Sequence, residues 1–168
     1  MPRRHLEIDL LRQRMRFYVG QSLASEYWVS TARNGPGEVL NSECTPRGRH
    51  AIAEKIGAGA PANSVFVARQ ATGEIYSREF AATQPPGRDW ILTRILWLAG
   101  LQPGFNQGGD VDSGARYIYL HGTPDATPLG APGSRGCALS HSSRDGLAGS
   151  VRCRGLKIHA RRRSWRAA

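Results

Sequence analysis

A histidine and a cysteine stand sixteen positions apart in the stretch HGTPDATPLGAPGSRGCALSH, residues 121–141. Because the residues between them are largely proline, glycine and small side chains, a loop is expected to connect them. A cysteine becomes a useful nucleophile when a base, a cation or a helix N-terminus stabilises its thiolate. His121 could act as the base for Cys137, and Arg135 could supply a positive charge near the sulfur. The same pattern is compatible with a structural histidine and a buried thiol.

The residues around Cys137 add two further features to this pattern. Gly136 lets the backbone approach a substrate closely, and the amides between Ser134 and Cys137 could donate hydrogen bonds to a developing oxyanion. The segment SHSSRDGLAGSV, residues 140–151, predicts a short helix with Ser140 or Ser142 as its N-cap. The amides at the start of such a helix would point back toward the sulfur.

A zinc site is the competing interpretation of these residues. Cys137-x3-His141 and Cys153-x5-His159 together offer two thiols and two imidazoles at spacings near those of small zinc sites. A basic C-terminal tail would then suggest a zinc-dependent nucleic-acid binder. Against this, the segments lack the hydrophobic positions of a compact zinc finger, and a chain of this length needs no metal to hold its core together.

The composition indicates the fold class of the domain that carries these residues. The chain has 168 residues, 40% of them hydrophobic, with 20 glycines and 10 prolines. This predicts one mainly β domain, mixed β with one or two short helices, rather than a helical bundle. Trp90, Trp97 and Tyr117 are assigned to its core.

Alternation of apolar and polar residues places most of the strands. The segment DWILTRILWLAG, residues 89–100, fits a central strand or a short buried helix equally well. The segment NSVFVARQATGEIYS predicts a hairpin that turns at ATGE, residues 71–74. Further strands are predicted within QSLASEYWVSTA, over residues 50–56, within ARYIYLHGT with its end at His121, and within GLKIHA near the C-terminus.

The charge distribution predicts a neutral domain between two basic ends. Residues 1–16 carry five arginines and two acidic residues, whereas residues 152–168 carry seven Lys or Arg and no acid. Residues 17–151 hold eleven basic and eleven acidic side chains, which cancel. We therefore expect a basic N-terminal segment over 1–16, a domain over 17–160 and an arginine-rich tail over 161–168. Such ends could contact nucleic acid, an anionic membrane or an anionic polymer, or remain solvated.

Cysteine usage and the N-terminal residues bear on the compartment. Three cysteines are an odd number, so no disulfide framework is expected. The start, MPRRHLEIDLLRQRMRFYVG, has charges scattered among its apolar residues and is not expected to be a signal peptide. No stretch approaches the roughly 18 apolar residues of a membrane span.

The stretch YLHGTPDATPLGAPGSRGC resembles the active-site signature of L,D-transpeptidases of the YkuD type. In that family a strand ends in His-Gly-Thr, and a glycine-containing loop leads to Ser-His-Gly-Cys. The segments VSTARNGPGE, TPRGRHAIAEKIG, VFVARQATGEIYS and RDWILTRILWLAG are similar to the same family in the same order. The resemblance covers about residues 18–160.

This resemblance implies a compact sandwich-like or barrel-like β domain that acts on peptidoglycan stem peptides without a metal or organic cofactor. By the same resemblance Cys137 is the nucleophile and His121 is its base. The implied reaction releases D-alanine from a tetrapeptide stem and forms a 3→3 cross-link, or a related exchange or attachment product. Gly122, Ser134 and Gly136 match loop residues that shape the pocket and the oxyanion site. A periplasmic or cell-envelope location, a monomeric state and no nucleic-acid partner follow as expectations, although without a visible signal peptide a cytoplasmic location stays open.

The chain departs from the family pattern near the cysteine. Arg135 replaces the usual histidine two positions before it; an arginine keeps a donor and a positive charge but cannot act as a base. Ala138 and Leu139 follow the cysteine where the family usually has an aliphatic residue and then an arginine that could contact a substrate carboxylate. A weakened enzyme, or a silent peptidoglycan-binding module on the same fold, is therefore the alternative to an active transpeptidase.

Overall fold

The computed structural model of the protein describes residues 2–141 and 155–160, which form one mainly β domain. The single α-helix among these residues, α1, spans Arg78–Ala82 and is capped by Ser77, whose side chain accepts a hydrogen bond from the amide of Phe80. A short 3-10 turn covers Gly109–Val111. The strands are β1 (Arg4–Asp9), β2 (Arg14–Val19), β3 (Ser22–Trp28), β4 (Gly48–Ile56), β5 (Ser64–Val67), β6 (Gln70–Ile75), β7 (Ile91–Gly100), β8 (Tyr119–Thr123), β9 (Ala138–His141) and β10 (Gly155–His159).

These ten strands form one sheet in the order β3-β2-β1-β10-β4-β7-β5-β6, and β8 and β9 branch from it at β7. The pairs β1–β10 and β8–β9 are parallel, whereas the other pairs are antiparallel. The sheet curls into a half-barrel. The mainly β architecture predicted from composition is therefore confirmed, and the segment 89–100 is the central strand β7 rather than a helix.

The two faces of the sheet carry two separate hydrophobic clusters, because side chains alternate along a strand. The main core contains Leu96 and Leu98 of β7 together with Leu120 of β8. The opposite face carries the second cluster, in which Ile95 and Tyr119 are buried against Phe66 with Trp97 and Cys137 packed beside them. The buried side chains of the main core are Leu6, Ile8, Leu10, Met15, Val29, Leu96, Leu98, Ile118, Leu120, Ala138, Leu156 and Ile158.

The N-terminal segment is part of this core rather than a separate basic extension. Residues 1–16 contain β1, which lies in the sheet between β2 and β10. Leu6 and Ile8 pair with Leu156 and Ile158 of β10 in a parallel register, and all four side chains are buried. Burying each of these aliphatic side chains stabilises the fold by about 1.5–3 kcal/mol.

Four details differ from the sequence predictions. The β5–β6 hairpin turns at Ala68 and Arg69, which have φ of 46° and 68°, and not at ATGE, which lies within β6. His121 lies in the middle of β8 rather than at its end. Tyr117 is 53% exposed instead of belonging to the core. Of the helix predicted over 140–151, Ser140 and His141 belong to β9, and the remaining positions lie outside the described residues.

Candidate active site

The paired strands β8 and β9 bring the histidine and the cysteine of the sequence motif to one face of the sheet. His121 pairs with Leu139 in the parallel register of β8 and β9, and Cys137 lies two residues before Leu139. Residues two apart on a strand share a face, and neighbouring strands lie about 4.8 Å apart. Cys137 and His121 therefore occupy adjacent segments of the same face, with Tyr119 beside them.

The His121 imidazole is buried, with 3% of its surface exposed. Its Nδ1 lies 2.8 Å from the carbonyl oxygen of Gly122, and because a carbonyl can only accept, Nδ1 carries the proton. Burial lowers the pKa of His121, and this outweighs the opposite effects of the Gly122 carbonyl and the Asp89 carboxylate. The imidazole is therefore neutral at pH 7, and the lone pair of its Nε2 is available for a proton.

The Cys137 thiol is half-buried and lies 3.8 Å from the carbonyl oxygen of Tyr117, to which it donates. Burial raises the pKa of Cys137 to about 12, and the Asp89 carboxylate acts in the same direction. The amide N–H of Tyr119 and the positive charge of Arg116 lower this pKa, but by less than burial raises it. The sulfur is therefore a protonated thiol at neutral pH.

Ser134 and Gly136 shape the backbone immediately before the sulfur. The Ser134 hydroxyl donates to the carbonyl of Cys137 at 2.5 Å and accepts from the amide of Gly136 at 3.3 Å. Gly136 has a φ of 122°, which an L side chain rarely adopts. A Cβ atom at Gly136 would also lie only 3.3 Å from Ile118 Cδ1. The serine and the glycine predicted from the motif thus both determine the local path of the chain.

Thr45 holds this loop from a distant part of the sequence. Its hydroxyl accepts from the amide of Ala32 at 2.9 Å and donates to the carbonyl of Gly136 at 2.8 Å. Thr45 is 1% exposed, so both bonds are shielded from water. The backbone of Thr31 also anchors the loop before Cys137. Its carbonyl accepts hydrogen bonds from the amides of Gly133 and Ser134 at 2.8 and 2.9 Å.

The cation whose charge acts on the sulfur is Arg116 and not Arg135. Arg135 is exposed, whereas Arg116 is partly buried and donates to the carbonyls of Glu38 at 2.8 Å and Cys44 at 2.6 Å. Burial lowers the pKa of Arg116, with opposing contributions from Cys44, Glu38 and Cys137. No local pattern in the sequence identifies this residue, because its contacts lie more than 70 positions away.

Two charged residues near the pair, Asp89 and Arg69, have no local signal in the sequence. Asp89 lies just before β7, and its carboxylate acts on the pKa of both His121 and Cys137. Arg69 and Trp97 lie in contact beside the second hydrophobic cluster, with the guanidinium carbon 4.7 Å from the ring centroid. An arginine among aromatic residues on the cysteine-bearing face is a pattern that only the folded sheet reveals.

Ala138 and Leu139, which depart from the motif after the cysteine, belong to the strand β9. Ala138 is 1% exposed and belongs to the main core. Leu139 is joined to Ser30 by two backbone hydrogen bonds of 2.8 and 3.0 Å and is the ladder partner of His121. No charged side chain therefore comes from β9 at the position paired with the histidine.

The residues of the zinc alternative do not converge in the described part of the chain. His141 Nε2 donates to the carbonyl of Thr127 at 3.0 Å, and Cys153 lies outside the described residues. Among residues 2–141 and 155–160 there is no group of three or more His, Cys, Asp or Glu side chains that could hold a metal ion. Within the same residues, no helix has the length and apolar character needed to cross a membrane.

Several solved structures share this fold. L,D-transpeptidase 3 from Mycobacterium tuberculosis, in complex with a faropenem-derived adduct, is 12% identical with a TM-score of 0.55, over 94% of this chain and 60% of that chain. Bd1075 from Bdellovibrio bacteriovorus is 15% identical with a TM-score of 0.54, over 94% of this chain and 48% of that chain. A cysteine-to-serine mutant of Enterococcus faecium L,D-transpeptidase is 12% identical with a TM-score of 0.54, over 95% and 50%.

At these identities the likeness is one of fold, and the chain spans about half to three-fifths of the length of these solved chains. No protein with a curated description matches the chain. The model of the YkuD family, the L,D-transpeptidase catalytic domain, matches residues 3–139, which include β1 to β8, the connecting loop and Cys137. The chain therefore belongs to the YkuD family of L,D-transpeptidase catalytic domains.

Proposed function

We propose that the chain is a cysteine-dependent L,D-transpeptidase that acts on peptidoglycan stem peptides, with Cys137 as nucleophile and His121 as general base. The observation that carries this proposal is the position of the two side chains on one face of adjacent parallel segments, with the histidine fixed as its Nδ1–H tautomer. Membership of the family supports the reaction class. The specific reaction, the residue roles and a cell-envelope location are part of the proposal.

The first half of the reaction forms an acyl-enzyme. The thiol turns from the Tyr117 carbonyl toward His121, Nε2 takes its proton, and the sulfur attacks the carbonyl of the third residue of a donor tetrapeptide stem. The tetrahedral intermediate collapses when His121 returns the proton to the departing amine of D-alanine. The C–N bond breaks as the C–S bond remains, which leaves a thioester on Cys137.

The second half transfers the acyl group to an acceptor. The amine of a neighbouring stem attacks the thioester carbonyl, and His121 accepts the proton that this amine loses. The C–S bond then breaks, the thiolate is reprotonated from His121, and the product is a 3→3 cross-link. Water or a free amino acid as the acceptor would instead give hydrolysis or exchange.

Backbone amides of residues 134–137 would stabilise the oxyanion of the tetrahedral intermediate. Of the four amides from Ser134 to Cys137, that of Ser134 donates to Thr31 and that of Gly136 to the Ser134 hydroxyl. The amides of Arg135 and Cys137 are the remaining candidates for the oxyanion. The bonds of Thr45 and Ser134 would keep them oriented before the substrate arrives, which is how such a site lowers a barrier.

A neutral His121 beside a neutral thiol is consistent with this mechanism. Because burial raises the pKa of Cys137 to about 12, the proton must leave during the attack rather than before it. A neutral imidazole with a free Nε2 is the form that can accept this proton. A substrate that expels water from the site would strengthen the interaction between the two groups.

The experiment that tests the proposal uses a donor tetrapeptide stem and an acceptor stem with a free amine. The protein is expected to release D-alanine and to form a dimer of the mass of a 3→3 cross-link, detected by chromatography and mass spectrometry. The Cys137→Ser variant should release at least a hundredfold less D-alanine, because a serine hydroxyl is a far weaker nucleophile in this setting. Equal release from both proteins would contradict the assigned nucleophile.

The silent binding module is the second candidate, and the raised pKa of the thiol favours it. Under this alternative the domain would hold stem peptides without reacting with them. Retention on purified peptidoglycan sacculi by both the unmodified protein and Cys137→Ala, together with no D-alanine release from either, would support it. Release of D-alanine by the unmodified protein would exclude it.

A further inference from the structure

Arg69 lies on the cysteine-bearing face of the sheet, and the proposed mechanism gives it no role. It lies at the turn of the β5–β6 hairpin with a φ of 68°. Its guanidinium carbon lies 4.7 Å from the ring centroid of Trp97 and 4.9 Å from that of Tyr117. Its Nη1 donates to the hydroxyl of Tyr119 at 3.2 Å. Two cation–π contacts and one hydrogen bond therefore fix the guanidinium over an aromatic group.

The aromatic group is itself rigid. The rings of Trp97 and Tyr117 are stacked with centroids 5.8 Å apart, and Tyr119 packs edge-on against Trp97 at 6.2 Å. Trp97 Nε1 donates to the carbonyl of Gly114 at 3.1 Å, which fixes the orientation of the indole. An arginine seated on such a platform loses little conformational freedom when it binds a ligand.

The same two tyrosines contact the nucleophile. The carbonyl of Tyr117 accepts from the Cys137 thiol at 3.8 Å, and the amide of Tyr119 faces the sulfur and lowers its pKa. Cys137 also packs against the cluster that contains Tyr119. Each tyrosine therefore contacts the sulfur through its backbone and Arg69 through its side chain, so the cation and the nucleophile are separated by the length of these side chains.

Arg69 lacks a counter-ion in the structure. No carboxylate lies within ion-pair distance of its guanidinium among residues 2–141 and 155–160, whereas Arg16, Arg47 and Arg88 each have a glutamate partner. The residue paired with His121 on β9 is Leu139, which offers no charge. A half-buried guanidinium without a carboxylate partner among the described residues is a typical site for binding a carboxylate.

On the basis of the proposed function, we propose that Arg69 binds a carboxylate of the acyl donor and determines which donors the protein accepts. Two carboxylates of a stem peptide could reach it, namely the C-terminal carboxylate of the leaving D-alanine and a side-chain carboxylate on the third residue. Both lie within a few bonds of the carbonyl that Cys137 attacks. Arg69 is thus a specificity residue that orients the donor without taking part in proton transfer.

The test compares donor peptides that differ in one carboxylate. The three donors are a tetrapeptide with both carboxylates, the same peptide with its C-terminus amidated, and the same peptide with lysine as third residue. For each donor, kcat/KM is measured for the unmodified protein and for the Arg69→Gln and Arg69→Lys variants. Arg78→Gln, the same substitution at an exposed arginine of α1, is the matched control.

We expect Arg69→Gln to lower kcat/KM for the full donor by about tenfold or more, the range for loss of a charged hydrogen bond. The donor without the recognised carboxylate should react slowly with the unmodified protein and be affected little by the substitution, so the pair identifies which carboxylate is bound. Arg69→Lys should restore part of the preference, and Arg78→Gln should match the unmodified protein.

Two results would overturn the proposal, and they are distinguishable. In the first, Arg69→Gln lowers kcat/KM equally for all three donors or leaves the preference for the full donor intact. Arg69 then does not bind a carboxylate of the donor, although the transpeptidase function stands. If the unmodified protein forms no acyl-enzyme with any donor, the proposed function fails and the role of Arg69 fails with it.

Discussion

The imidazole of His121 donates its Nδ1–H to the carbonyl oxygen of Gly122, the next residue in the chain, at 2.8 Å. The bond sets the tautomer through the backbone alone, so the Gly122 carbonyl takes the orienting position that an aspartate holds in many catalytic triads. Since Gly122 lies within β8 and pairs with both β7 and β9, its carbonyl is held by the sheet. The tautomer of His121, with the proton on Nδ1 and none on Nε2, is therefore set by the fold.

Replacing His121 with glutamine should abolish most of the proposed activity without unfolding the protein. Glutamine keeps a polar side chain of similar size but cannot accept the thiol proton, so acyl-enzyme formation should fall by about 10²–10⁴-fold. The measurement is the rate of D-alanine release, with the far-ultraviolet circular dichroism spectrum as a check on folding. His141→Gln is the matched control, because the His141 imidazole donates to the carbonyl of Thr127 and has no part in the proposed proton transfer.

Replacing Thr45 with valine should destabilise the domain and weaken the active site together. Valine leaves the amide of Ala32 and the carbonyl of Gly136 without their buried partner. Each unsatisfied buried group costs about 1–3 kcal/mol, so the free energy of unfolding should fall by about 2–6 kcal/mol, measured by urea titration. Thr45→Ser keeps the hydroxyl, so its free energy of unfolding should fall by less than half the amount lost by Thr45→Val. Equal losses for the two variants would show that the methyl group rather than the hydroxyl is important.

His50 should make the stability of the domain depend on pH. It is 1% exposed, with Nδ1 3.2 Å from the Gly48 carbonyl and Nε2 3.0 Å from the Ser113 hydroxyl, an arrangement that suits a neutral ring. Burial lowers the pKa of His50 from 6.5 to about 4. The unfolded chain therefore binds a proton at this position between pH 6.5 and 4 while the folded chain does not, so stability is complete above pH 6.5 and is lost as the pH falls through this window.

The loss attributable to His50 should reach about 3 kcal/mol near pH 4, from 1.36 kcal/mol per pKa unit. The measurement is the free energy of unfolding by urea at several pH values, for the unmodified protein and for His50→Gln. Glutamine does not titrate, so the difference between the two proteins should shrink as the pH falls from 7 to 4. A constant difference across this range would contradict the assignment of a neutral, buried His50.

The placement of His121 and Cys137 on adjacent segments could be predicted from the sequence, because one loop joins them and their residue types are typical of a nucleophile and its base. The contacts that support the pair could not be predicted in this way. Thr45 and Gly136 are 91 positions apart, and Arg69 and Tyr119 are 50 apart. Side-chain contacts between distant segments leave no periodicity or turn signal in the local sequence, so Arg116, Asp89 and Arg69 were missed.

Two elements show how local signals compete with tertiary contacts. The glycine of ATGE suggested the hairpin turn, but the chain turns at Ala68 and Arg69, where the aromatic group beneath Arg69 stabilises a backbone conformation unusual for arginine. The charges of residues 1–16 favour a basic N-terminal segment, whereas in the structure these residues contain the strand β1. Its alternation of buried Leu6 and Ile8 with the less buried Glu7 is a clear period-two pattern that could have revealed it.

The role of Cys137 as nucleophile is tested by the intact mass of the protein after incubation with a carbapenem, an acylating agent expected to react with the active-site cysteine of this family. We expect one adduct per chain, placed on Cys137 by peptide mapping, and no adduct on the Cys137→Ala variant. An adduct that persists in Cys137→Ala, or no adduct on protein whose circular dichroism shows it to be folded, would contradict the claim that Cys137 is an activated nucleophile.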